Sequence, residues 1–135
     1  MKHWRAERGQ AAIEFALTAI LFFTLVIFIM DGSRIFWNYL TVSEAAREGA
    51  RYAIVRSEDS ESPLNSADLR KYVEGWAIGL DPAQLDVTAA WKDDSNTRGS
   101  KVTVTVSYET RPVTGLFWPG LTLNLVDSAT MVVQN

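Results

Sequence analysis

Residues 9–40 read GQAAIEFALTAILFFTLVIFIMDGSRIFWNYL, and the order of charged and apolar side chains in this stretch decides the architecture. Residues 15–30 carry no charge at all. At the helical rise that run is about 24 Å long, and extending it back to Gln10 gives about 31 Å, close to the hydrocarbon thickness of a bilayer. The longer span encloses one carboxylate, Glu14.

The flanks set a direction. Lys2, Arg5 and Arg8 precede the run against Glu7, whereas from Asp31 onward there are 14 acidic and 10 basic residues. Basic residues on the near side and an acidic balance on the far side predict a cytoplasmic N-terminus with the bulk of the chain across the membrane. A cleaved secretory signal has a similar opening. Its apolar core is normally shorter and is followed by a small-residue cleavage site, whereas Ile29, Met30 and Asp31 lead into more helical sequence.

Beyond the run, DGSRIFWNYLTVSEAAREGARYAIVR has no proline and continues the helix to about Val55. Ile35, Tyr39, Val42, Ala46, Gly49 and Ala53 recur at helical spacing and form the expected inner face. Glu44 with Arg47 and Glu48 with Arg51 are i,i+3 pairs on the wetter side, each worth about 0.2 to 0.5 kcal/mol. Gly32 marks a possible bend near the membrane exit, although one glycine need not stop a helix. A rod from Gln10 to Val55 is roughly 70 Å long, more than a chain of this size can bury, so half of it must lie in lipid or among other subunits.

The polar segment SEDSESPLNS, residues 57–66, ends the rod. Ser66 then caps a short helix in which Leu69, Tyr72, Val73, Trp76 and Leu80 share a face, closed by Gly79, Asp81 and Pro82. The period next becomes two. Leu85, Val87, Ala89 and Trp91 form one alternating run and Val102, Val104, Val106 and Tyr108 a second, joined by the turn DDSNTRGS as a hairpin. A third run keeps Leu121, Leu123, Leu125, Ala129, Met131 and Val133 in phase, with Asp127 interrupting the apolar face as if at a bend or bulge. The expected fold class is α+β: a small antiparallel sheet and a short helix packed on the amphipathic half of a long N-terminal helix. Ala45, Ala46, Gly49, Ala50 and Ala53 permit close approach.

Composition removes several function classes. A chain of 135 residues with a net charge of -3 makes one core and is no polyanion binder, so nucleic acid is not an expected partner. With no cysteine and His3 as the single histidine, thiol nucleophiles, histidine triads and multi-histidine zinc sites are excluded. No cofactor or metal is expected. Arg47 and Arg51 beside Glu44 and Glu48 read as a solvated charge ladder rather than an anion site. Asp93, Asp94 and Asn96 lack calcium-loop spacing and read as a turn, and Asp127 reads as a capping or turn residue rather than a catalytic acid. The loop PVTGLFWPG, residues 112–120, carries Phe117 and Trp118, which either cover their own sheet or contact a partner protein.

The string RGQAAIEFALTAILFF, with GSRIFWNYLTVSEAAREGARYA after it, resembles the TadE-like minor pilins, or pseudopilins, of tight-adherence pilus and secretion systems. The resemblance extends over nearly the whole chain, with GQAAIEF and the AAREGAR block its most specific parts. It implies a type IV pilin-like fold with three regions: a prepilin leader at residues 1–9, a transmembrane or filament-core half-helix at 10–30, and a periplasmic or extracellular α+β domain at 31–135. It further implies cleavage between Gly9 and Gln10 by a prepilin peptidase, and assembly roles for Glu14 and Phe15. The implied partners are other pilins or minor pilins of the same system, the peptidase and the inner membrane. The implied task is initiation, tip formation or anchoring in a pilus that lies outside the cell after assembly.

Physical chemistry gives Glu14 a reason beside that resemblance. A carboxylate at the centre of a membrane helix costs on the order of 2.5 to 3.5 kcal/mol, less near the edge. Cleavage after Gly9 would create an ammonium group at Gln10, one turn from Glu14, able to pair with it or with the Glu14 of a neighbouring subunit. The plain alternative is an acid in the headgroup region or a protonated one. At the level of the whole chain, the rival expectations are an uncleaved single-pass anchor for a periplasmic binding domain, and a secreted enzyme, against which the residue inventory argues.

Overall fold

A computed structural model describes residues 3–56, 63–92, 97, 99–116 and 120–133, with side chains from Gly9 onward. A helix, α1 (His3–Ile54), is followed by α2 (Ser66–Trp76), a 3-10 turn (Pro82–Gln84), β1 (Leu85–Trp91), β2 (Lys101–Thr110), a second 3-10 turn (Val113–Leu116) and β3 (Leu123–Val132). The fold is α+β, with a long apolar N-terminal helix and one antiparallel sheet of order β1-β2-β3. The first six residues of the 57–66 loop and most of the β1–β2 turn, including Asp93, Asp94 and Asn96, lie outside the described residues.

With no proline before Pro63, α1 runs unbroken for 52 residues, about 78 Å at the helical rise. It begins at His3 rather than Gln10 and passes through Gly9 and Gly32 without interruption. Only its far half packs against the rest of the chain. Val42, Ala45, Ala46, Ala50 and Ala53 are buried against Leu69 and Val73 of α2 and against Val102, Val104 and Val106 of β2. The small residues let the helix axis approach both partners. A Cβ on Gly49 would stand 2.8 Å from a Val73 methyl and 3.1 Å from a Val104 methyl, so this position has room for hydrogen only. Tyr39, expected on the inner face, is exposed instead. At 100° per residue it lies on one edge of the stripe through Val42, Ala46, Gly49 and Ala53, and at this level it is Asn38, on the opposite edge, that faces the sheet and donates to the Thr110 hydroxyl.

The short helix is capped by Asn65, not Ser66: the Asn65 side chain accepts the Ala67 N–H at 3.1 Å. Leu69 and Val73 bury as expected, whereas Trp76 stays 43% exposed. The Tyr72 ring stacks on Tyr52 at 4.2 Å, with the Arg56 guanidinium on that Tyr52 ring, and this joins the ends of the two helices. Arg70 binds Glu74 and donates to the Pro82 and Leu85 carbonyls, which connects α2 to the start of the sheet.

Strand β2 is central, with Val102, Val104, Val106 and Tyr108 all inward. Its register with β1 and with β3 is continuous from end to end, and Asp127 pairs squarely with Val106. The expected bulge at Asp127 is therefore absent. The carboxylate satisfies itself locally by accepting the Ser128 N–H at 2.8 Å, so the strand need not bend to accommodate it. The 112–120 segment is likewise not wholly irregular, because Val113–Leu116 closes a 3-10 turn.

Candidate functional site

The near half of α1 projects from the α+β domain with its side chains uncovered. Phe15 is 75% exposed, and Ile13, Leu17, Ile20, Leu21, Phe22, Phe23, Leu25, Phe28, Ile29 and Met30 are all more than half exposed. This is the one candidate membrane span among the described residues: a helix long and apolar enough to cross a bilayer, with none of its apolar window buried in the protein. Core helices of soluble domains meet the same length test while being covered, so it is the exposure that sets α1 apart. Polar side chains within the run are internally satisfied. The Thr18 hydroxyl donates to the Glu14 carbonyl and the Thr24 hydroxyl to the Ile20 carbonyl, both at 2.8 Å, so neither presents an orphan donor to an apolar surround.

Gly9, Gln10, Ile13, Glu14 and Leu17 bound one open depression on the helix surface. The helix thus brings the expected processing position and Glu14 together, Gln10 lying one turn before the acid. Among the described residues nothing pairs with the Glu14 carboxylate. Phe117 and Trp118, the candidate contact residues of the 112–120 segment, lie outside the described residues. Arg47 pairs with Glu44 at 3.7 Å with both side chains exposed, as expected, whereas Arg51 pairs at 3.4 Å with a Glu48 whose side chain is only 13% exposed, so the ladder is solvated at its first rung and half-covered at its second.

The residue that organises the base of the domain is one the sequence reading passed over. Asp31, directly after the apolar run, is 4% exposed, and its two carboxylate oxygens accept the Val113 N–H at 2.8 Å and the Thr114 N–H at 2.7 Å. The 3-10 turn opens after Pro112, which has no capping side chain, so its first N–H groups need an acceptor from elsewhere and α1 supplies it. The Thr114 N–H, foremost, holds the Asp31 carboxyl below its ordinary pKa; burial opposes this, and the Val113 N–H, the Thr114 hydroxyl and the Arg34 charge reinforce it. Two turns further along the helix, the Asn38 amide donates to the Thr110 hydroxyl at 3.1 Å. The signal for this lock was an acid at the end of an apolar run with no basic partner one turn before it.

Among the described residues no group of three or more His, Cys, Asp or Glu is placed to hold a metal ion. These features define a class: a small α+β domain carried on a long, exposed apolar helix, an arrangement consistent with that of type IV pilins. Residues 9–51 match the model of the TadE-like protein family. The match lies wholly within α1 and spans roughly a third of the chain, narrower than the near-complete coverage the sequence resemblance implied. No curated protein and no solved structure matches the chain.

Proposed function

We propose that this chain is a TadE-like minor pilin: a subunit inserted in the inner membrane by α1, trimmed by a prepilin peptidase between Gly9 and Gln10, and incorporated with sibling pilins during assembly of a tight-adherence pilus. The observation that carries the reading is the exposed apolar half of α1 with its unpaired Glu14, inside the stretch that matches the TadE-like model. A helix of this kind needs an apolar partner over its whole circumference, and both lipid and a bundle of like helices provide one. Trimming adds a positive charge at Gln10, one turn from the acid, and makes Glu14 a complementary group for a neighbour in low dielectric. Phe15, exposed beside it, is the apolar half of the same contact.

A second reading is an uncleaved single-pass anchor that holds a binding domain in the periplasm, since the exposed apolar span would cross a bilayer equally well with residues 1–9 retained. N-terminal sequencing of the membrane-extracted protein separates the two. Gln10 as the first residue supports the pilin, and Met1 supports the anchor.

A further inference from the structure

Several features lie at one level of the molecule, just beyond the end of the apolar run. With residues 10–30 in the hydrocarbon core, Asp31 lies at its boundary, and its hydrogen bonds bring the Val113–Leu116 turn to the same depth. Val113 and Leu121, on either side of that turn's loop, are 40% and 43% exposed. Arg111 and Leu121, with Pro112, Gly115 and Gly120, line a shallow pocket there.

The opposite face of α1 continues the pattern. Phe36 and Trp37 are 64% and 62% exposed, and Leu40 follows one turn after Phe36. At 100° per residue these three point away from the buried stripe through Val42, Gly49 and Ala53, and the same outer face becomes charged only at Glu44 and Arg47. Trp37 stands about 10 Å beyond Met30 along the axis, and helical side chains tilt back toward the N-terminus, so its ring reaches down to the headgroup layer, which is about 5 to 7 Å deep on each side. Arg34 stands about 6 Å beyond Met30, at phosphate height. Aromatic rings and arginines at this height suit an interface of glycerol, carbonyl and phosphate groups.

We propose that this rim, formed by Phe36 and Trp37 on one side of α1 and by Val113 and Leu121 on the other, is a seat on the phospholipid surface. Arg34 and Arg111 meet lipid phosphates, and the seat fixes the α+β domain upright on the membrane. Lipid is the occupant because the rim is continuous with the bilayer-spanning surface of the same helix; Arg111 also pairs with Glu109 at 3.8 Å and Arg34 lies near Asp31, but with Arg111 73% exposed its guanidinium still has donors to offer a phosphodiester. The inference rests on α1 crossing the membrane, which the experiment checks separately.

The chain contains no cysteine, so single nitroxide labels can be placed on the full-length protein at Leu21→Cys, Val113→Cys, Leu121→Cys and, as a control on the exposed side of α2, Lys71→Cys. In vesicles of phosphatidylcholine and phosphatidylglycerol, collision with oxygen and with a water-soluble nickel chelate reports depth. The expected result is a deep reading at residue 21, an interfacial reading at 113 and 121 with nickel collision several-fold lower than at 71, and a fully aqueous reading at 71. Aqueous readings at 113 and 121 with a deep residue 21 overturn the seat alone. An aqueous residue 21 overturns the membrane span and the seat with it. Low collision with both reagents at 113 and 121 marks a protein neighbour, and also overturns the assignment to lipid.

Discussion

Asp31 and Thr114 are 83 residues apart in sequence, yet the carboxylate of one accepts the backbone N–H of the other at 2.7 Å, so the long helix itself caps the turn that leads into the last strand. With the Val113 bond and the Asn38–Thr110 bond, this contact ties the near end of the sheet to α1. It also makes the junction sensitive to acid.

Because these hydrogen bonds favour the ionised form, the folded pKa of Asp31 lies below its ordinary value of 3.8, and the unfolded chain takes up the proton first as pH falls. The contribution is complete above the unfolded pKa and is lost as pH falls through the folded one. Asp31→Asn in detergent-solubilised full-length protein is expected to lower the Tm at pH 7 and to flatten the decline of stability below about pH 4. A variant with the wild-type acid limb would show that the carboxylate does not hold the turn.

Gly49 and Gly75 predict opposite signs for the same substitution. Gly49→Ala places a methyl 2.8 Å from the stiff Val73 side chain; overpacking costs about 1 to 3 kcal/mol against a helix-propensity gain of about 1, for a net loss of about 1 kcal/mol. Gly75 has nothing within 4 Å of the position a Cβ would take, and Gly75→Ala is expected to stabilise by about 0.5 kcal/mol. Denaturant unfolding followed by tryptophan fluorescence reads both.

The cap of α2 separates two neighbouring residues. Asn65→Ala removes the acceptor for the Ala67 N–H and is expected to cost about 1 kcal/mol, while Ser66→Ala costs a few tenths at most. Equal effects in the same unfolding assay would put the cap at the wrong residue.

For the proposed assembly role, Glu14→Ala is expected to leave the α+β domain folded, since no described residue packs on that carboxylate, while greatly reducing co-purification with sibling pilins. Glu14→Gln keeps the shape without the charge and should behave like the alanine variant if charge pairing is what matters. Incorporation of both variants at the wild-type level would remove the basis for the pairing.

Much of the fold was legible from periodicity. Val102, Val104, Val106 and Tyr108 alternate and all face inward, and the small residues from Ala45 to Ala53 lie where the helix meets the sheet. What misled was local chemistry with two outcomes. Asn65 and Ser66 are both good caps, and only the path of the incoming chain selects the first. Asp127 on an inward position read as a break, but one N–H from the next residue satisfies it and the register continues.

The amino-acid order alone determined the long apolar helix, its lone acid after Gly9, the alternating strands and the absence of thiol or histidine chemistry. These follow from local patterns of charge, volume and side-chain period. Only the tertiary structure decided that Asp31 caps a turn from the far end of the chain, that Gly49 must lack a side chain, and that Phe36 and Trp37 stay uncovered beside the apolar span. Each of those depends on which surfaces meet once helix and sheet are packed, and a pattern read along one segment holds no record of the group that approaches from another.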